Sequence, residues 1–131
     1  MLAPRTSRPA VDVLLVDDDD NARFLVERRA RRAGATFAHR VDGVSARQFL
    51  EHHAVTLMLL DLRLPDTTGD VLLASLIADG LLDGVHVSVC TSHLPLDAVR
   101  DRIVALGATL RVKTEILSGD TLSRLLNEAR G

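Results

Sequence analysis

The chain has 131 residues, a formal net charge of −2, 47% hydrophobic and 26% charged residues, and 2% aromatics with neither tryptophan nor tyrosine. That length suits one sheet-and-helix domain. The near-neutral charge argues against a general nucleic-acid binder, and the scarcity of aromatics removes the stacking surfaces that single strands require. Cys90 is the single cysteine, which rules out an internal disulfide and suits a reducing cytoplasm; it reads as a small buried strand residue.

Residues 1–10 contain Arg5, Arg8, Pro4 and Pro9 but no apolar stretch of signal-peptide length, so they are expected to form a disordered arm before a domain at 11–131. No later run is long enough to span a membrane. Residues 11–16 are rich in valine and leucine and stop abruptly at Asp17-Asp18-Asp19-Asp20, as a first strand would. Ala22, Leu25, Val26, Ala30 and Ala33 then fall at helical spacing, with arginines elsewhere around the wheel and Gly34 as the stop. Residues 36–41 predict a weaker strand at the sheet edge, followed by the turn Asp42-Gly43 and a second helix using Val44, Arg47 and Leu50 with Ala46 and Phe49.

Residues 55–60 are almost unbroken apolar and predict a central strand buried on both faces, which delivers Asp61 to its carboxyl end. A Leu-rich helix is expected over residues 69–80, a fourth strand over 85–90 with Thr91-Ser92-His93 at its exit, and a fourth helix over about 96–106. Residues 110–112 read as a short fifth strand with Lys113 at its end. Ser118 or Asp120 is positioned to cap a fifth helix with the stripe Leu122, Leu125, Leu126 and Ala129. Five strand-helix alternations predict a parallel α/β sheet, doubly wound, with right-handed crossovers and helices on both faces.

Ligands of such sheets gather at the carboxyl ends of the strands. Asp17 and Asp18 stand at the first strand's end, Asp61 at the third, Thr91 and Ser92 at the fourth, and Lys113 at the fifth. Adjacent carboxylates repel in a shared low-dielectric crevice unless a cation neutralises them. Mg2+ suits that deficit, since it takes one or two carboxylates, waters and a phosphate oxygen. A carboxylate beside it can act as a nucleophile on phosphorus, with the Lys113 ammonium and the Thr91 hydroxyl as donors to the phosphoryl oxygens. The histidines His39, His52, His53, His86 and His93 are scattered and read as solvated or packing residues rather than metal ligands. No Gly-rich turn follows the first strand, so the dinucleotide fingerprint is lacking.

Val13-Leu14-Leu15-Val16-Asp17-Asp18-Asp19, Leu59-Leu60-Asp61-Leu62-Arg63-Leu64-Pro65 with Gly69, Val87-Ser88-Val89-Cys90-Thr91-Ser92, and Lys113 resemble the receiver domain of bacterial two-component response regulators. The resemblance covers about residues 11–130. It implies a flavodoxin-like five-stranded sheet of order 2-1-3-4-5 with five helices, and a phosphoryl group accepted on Asp61 from a histidine kinase or phosphotransfer protein. Asp18 would ligate Mg2+ directly, Asp17 would be ligand or neighbour, and the backbone carbonyl of Arg63 would complete the protein ligands. Thr91 would swing toward the phosphoryl oxygens and Lys113 would pair with them, while Asp19 and Asp20 would only cap the first helix. The expected role is a cytoplasmic stand-alone regulator: a signalling module with self-catalysed phosphoryl transfer and slow autodephosphorylation. It would act on an unknown downstream protein target, with no nucleic-acid or membrane partner. A dimer through the face of the fourth helix, fifth strand and fifth helix is compatible with it. The family's proline after the lysine is Thr114 here, and its switch aromatic is Leu110. Two alternatives remain: a receiver-shaped interaction module that is not phosphorylated, and an Asp-nucleophile phosphohydrolase. The second is disfavoured because Arg63 stands where haloacid-dehalogenase-like enzymes carry a second aspartate.

Overall fold

Five strands, β1 (Ala10–Val16), β2 (Phe37–Arg40), β3 (Ala54–Asp61), β4 (His86–Thr91) and β5 (Thr109–Val112), pair in parallel in the order 2-1-3-4-5 in a computed structural model that describes residues 7–131. Alternate residues of each strand serve opposite faces. Leu14, Val16, Met58, Leu60 and Val89 pack under α2 (Gly43–His52), α3 (Gly69–Ala78) and α4 (Asp97–Ala105), through Phe49, Leu50, Leu73, Leu76 and Ile103. Val13, Leu15, Leu57, Leu59 and Cys90 pack under α1 (Asp20–Arg32), α5 (Lys113–Ile116) and α6 (Thr121–Arg130), through Val26, Ala30, Ile116, Leu122, Leu125 and Leu126. Burying each such leucine or isoleucine contributes about 1.5–3 kcal/mol, so the two cores fix the strand ends firmly. The parallel sheet with helices on both faces is the one the alternation predicts, and the flavodoxin-like order is the one the resemblance implies.

Six helices occur among the described residues rather than the expected five. The extra one, α5, starts at Lys113 itself, where Glu115 Oε1 accepts the Val112 N–H at 3.4 Å and Ile116 is buried. No glycine or proline punctuates that stretch, so the sequence carries no signal for it. Neither expected cap of the last helix works through its side chain. Ser118 Oγ donates to Thr114 O at 2.7 Å, and Asp120 occupies the N-cap position without a side-chain bond.

The expected disordered arm also needs amendment. Strand β1 begins at Ala10, Pro9 O accepts the Ala54 N–H at 2.9 Å, and Arg8 Nη1 donates to Leu50 O at 3.0 Å. The remainder of that arm, residues 1–6, lies outside the described residues. No helix among the described residues is long and apolar enough to cross a membrane.

Candidate functional site

Register determines what meets at the carboxyl edge. Val16 pairs with Leu60, so one step further along the parallel β1 and β3 sets Asp17 beside Asp61. Both continue the odd-numbered positions 13, 15, 57 and 59, which serve the α1/α6 face. Lys113 continues the parity of Arg111, whose register partner Cys90 belongs to that same face. The ammonium therefore comes up on the same side as the two carboxylates. Thr91 has the opposite parity and stands toward α4.

Lys113 Nζ lies 2.9 Å from Asp17 Oδ2 and 3.3 Å from Asp61 Oδ2. Asp17 and Asp61 are buried, at 2% and 7% exposure, whereas Asp18 is exposed. Asp17 Oδ1 also accepts the Asp19 N–H at 3.0 Å, and Asp61 Oδ1 accepts the Arg63 N–H at 3.3 Å. Carboxylate oxygens of Asp17, Asp18 and Asp61 all lie within 4.8 Å of one another. Three acids facing one ammonium leave an excess of negative charge of the kind that a hard divalent cation with oxygen ligands balances, so the residues present fit Mg2+.

Burial, and then the neighbouring charge of Asp17, hold the Asp61 carboxyl above the usual aspartate range despite Lys113 and the Arg63 N–H. At Lys113 burial works to lower the ammonium's pKa. The hydrogen bonds and charges of Asp17 and Asp61 outweigh it and hold the group above the usual lysine value. Burial pushes the Cys90 thiol up to about 12, which makes it the inert strand residue its composition suggests.

The loop after β3 is packed against its own strand. Gly69 N–H donates to Leu62 O at 2.7 Å, and a Cβ at Gly69 would stand 2.6 Å from Asp61 O. Only glycine admits α3 this close to the end of β3. Leu64 N–H donates to Thr67 O at 3.0 Å across the Pro65 turn. Asp66 accepts the N–H groups of Gly43 and Val44 at 2.8 and 3.0 Å, which ties this loop to the start of α2.

An open cavity of about 470 Å3 adjoins the acids, lined by Asp61, Arg63, Thr91, His93, Leu96 and Lys113 among others. Thr91 Oγ1 does not reach toward Asp61 here; it donates to His93 O at 2.7 Å. Arg63 sits in the same turn as Asp61, exposed, with its backbone bridged to Thr68. Asp19 caps α1 by accepting the Asn21 N–H at 2.9 Å, and Asp20 begins the helix. Among the described residues every peptide bond is trans, including Lys113–Thr114.

One contact was not foreseen. His39 Nε2 donates to the backbone oxygen of Asp17 at 2.6 Å, although the scattered histidines suggested only solvated or packing roles. Its signal lay in topology: with β2 next to β1, His39 pairs with Leu15, two residues before Asp17.

Compared with known families, residues 13–113 match the response regulator receiver domain. Solved structures with the same fold include a CheY-like response regulator receiver domain protein from Methanospirillum hungatei, at 21% identity and TM-score 0.75, covering 95% of this chain and 98% of that one. The signal receiver domain of a Luxo repressor protein from Vibrio parahaemolyticus is similar at 24% identity and TM-score 0.75, covering 94% and 93%. The Vibrio cholerae chemotaxis protein CheY4 is similar at 20% identity and TM-score 0.72, covering 95% and 98%. No curated protein matches the chain.

Proposed function

The chain belongs to the response regulator receiver family of two-component systems, and from that premise we propose that Asp61 accepts a phosphoryl group from the phosphohistidine of a histidine kinase or phosphotransfer protein. One observation carries this reading: a single ammonium, Lys113 Nζ, sits 2.9 and 3.3 Å from two buried carboxylates at neighbouring strand ends. A merely structural lysine would need only one of them.

Asp18, with Asp17 and the backbone carbonyl of Arg63, would hold Mg2+ beside Asp61. When bound, the ion neutralises the acids and screens the approach of the phosphoryl oxygens to the acceptor. A carboxylate oxygen of Asp61 attacks phosphorus in line, the bond from phosphorus to the donor imidazole nitrogen breaks, and that nitrogen keeps the electron pair and takes a proton. Lys113 moves from pairing two carboxylates to pairing Asp17 with the transferred group, where developing negative charge gains most from a fixed donor.

Thr91 then exchanges its bond to His93 O for one to a phosphoryl oxygen. That exchange frees the segment from Ser92 to Leu96 and shifts the population of conformations presented to a protein target. The receiver takes in β1 from Ala10 onward and works in the cytoplasm, where a lone buried thiol such as Cys90 stays reduced.

Intact mass spectrometry after incubation with acetyl phosphate and Mg2+ tests the assignment. Wild type is expected to gain one phosphoryl mass that Asp61→Asn lacks. An adduct that persists equally in the variant refutes Asp61 as acceptor. No adduct, together with no binding of beryllofluoride and Mg2+, assigns the fold to a receiver-shaped interaction module instead.

A further inference from the structure

The peptide unit joining Asp17 to Asp18 is held from outside its own strand. The preceding peptide still belongs to the sheet ladder, with Asp17 N–H donating to Arg40 O at 3.0 Å. The Asp17 carbonyl has left the ladder, and the group that takes it is a side chain, His39 Nε2, at 2.6 Å. Because the acceptor is a carbonyl oxygen, Nε2 carries the proton. His39 is half-buried on β2, at a position whose register partner is Leu15 on the α1/α6 face, the face that also carries Asp17.

The bond acts on a sensitive point. φ of Asp18 sets the angle at which its side chain leaves that peptide plane, so a held plane is the fixed reference from which the Asp18 carboxylate hangs. The Asp17 side chain has two further restraints, from the Asp19 N–H and Lys113, but the exposed Asp18 makes no side-chain bond among the described residues. The direction in which Asp18 hangs is therefore set mainly by the backbone, and His39 fixes that backbone.

Resting on the reading of Asp17, Asp18 and Asp61 as the cation site, we infer that His39 is a positioning residue that orients the Asp17–Asp18 peptide for a small octahedral cation. Mg2+ requires near-ideal octahedral geometry at about 2.0–2.1 Å, whereas Ca2+ accepts irregular shells at about 2.3–2.6 Å. Loosening one peptide plane should thus penalise Mg2+ more than Ca2+. General destabilisation of the domain has no reason to discriminate between them.

The test titrates the full chain with Mg2+ and, separately, with Ca2+, following backbone amide shifts by NMR in wild type, His39→Phe and His39→Gln. Phenylalanine keeps the ring and removes the donor; glutamine restores an N–H donor at similar reach. His39→Phe is expected to weaken Mg2+ binding about tenfold, the usual scale for losing a partner that orients a metal ligand. Ca2+ binding should change less, and His39→Gln should recover most of the lost Mg2+ affinity. Unchanged Mg2+ affinity in His39→Phe, equal losses for the two ions, or no recovery in His39→Gln overturns the inference while leaving the cation site intact. Wild type that shows no Mg2+-dependent shifts at Asp17, Asp18 and Asp61 overturns the cation site itself, before any variant is compared.

Discussion

Replacing Gly69 by alanine places a Cβ 2.6 Å from the backbone oxygen of Asp61 and 3.0 Å from Cα of Leu62. Both neighbours are main chain, so no side-chain rotation relieves the overlap. The N-terminus of α3 must back away from the end of β3 and stretch the 2.7 Å bond from Gly69 N–H to Leu62 O. Overpacking of this kind costs about 1–3 kcal/mol, and a weakened neutral hydrogen bond adds about 0.5–1 kcal/mol. Alanine's advantage over glycine in a helix returns at most about 1 kcal/mol, and less in the first turn. The net loss of about 1–3 kcal/mol corresponds, for a domain of this size, to a fall in Tm of about 4–12 °C.

Thermal and urea unfolding followed by circular dichroism measure that loss. The backbone that must yield also carries Asp61, so the rate of phosphorylation by acetyl phosphate should fall as well, even at a temperature where both proteins are folded. A variant with wild-type Tm and wild-type phosphorylation rate would show that α3 and β3 are not in the tight contact described, and refutes the reasoning.

Asp61→Asn is expected to raise stability at neutral pH. A carboxyl whose pKa is raised on folding contributes stability below its ordinary value of 3.8 and loses it as pH rises through the folded value, so ionised Asp61 is a cost at pH 7. The gain from asparagine, read as Tm against pH, should therefore shrink on acidification; a gain independent of pH contradicts the electrostatic origin. Arg102→Ala strands Asp70, whose side chain is 7% exposed while that of Arg102 is 53% exposed. With the pair half in solvent, a loss of about 1–2 kcal/mol in urea unfolding is expected, and Asp70→Asn should largely remove the effect of Arg102→Ala. Arg63 stands over the cavity beside Asp61, so Arg63→Ala should admit water and shorten the lifetime of the phosphorylated protein; an unchanged decay rate argues against any shielding by this side chain.

What the sequence made legible was the part governed by local pattern. Residues 55–60 are so nearly all apolar that the charge at Asp61 marks a strand end by itself, and the run from Val13 to Val16 does the same for Asp17; Lys113 lacks that contrast because Arg111 already stands in β5. Placing Asp17, Asp61 and Lys113 on one face takes the register of the parallel strands as well as the alternation of buried residues. What stayed hidden depends on contacts distant in sequence. Asp70 and Arg102 are 32 residues apart and meet only because α3 and α4 lie side by side. His39 reads as an ordinary strand histidine until β2 is placed next to β1. The short helix α5 was missed for a different reason: Thr114, Glu115 and Ile116 follow a strand without a turn residue, and four residues carry too little periodicity to register. Thr91 shows the limit of residue type as evidence, since its hydroxyl is satisfied two residues away by His93 O.

The fold contains its own control for whether the acids at the strand ends are structural. Asp70 is as buried as Asp61, at 5% against 7%, and it is matched by one cation, Arg102. That is how a buried carboxylate is accommodated when stability alone is at issue, because an unpaired one costs several kcal/mol and shifts toward its neutral form. At the carboxyl edge the same chain does otherwise. Asp17 and Asp61 divide one ammonium, Asp18 adds a third carboxylate within 4.8 Å, and the Asp61 carboxyl is raised, by burial first and by the charge of Asp17 second. A neutral or apolar residue at any of these positions would relieve the repulsion without disturbing the strands beneath, whose cores are complete by Val16 and Leu60. Local charge conflict in an otherwise consistent fold marks a place where sequence serves something other than stability. Here the conflict has the sign and size that one divalent cation would remove.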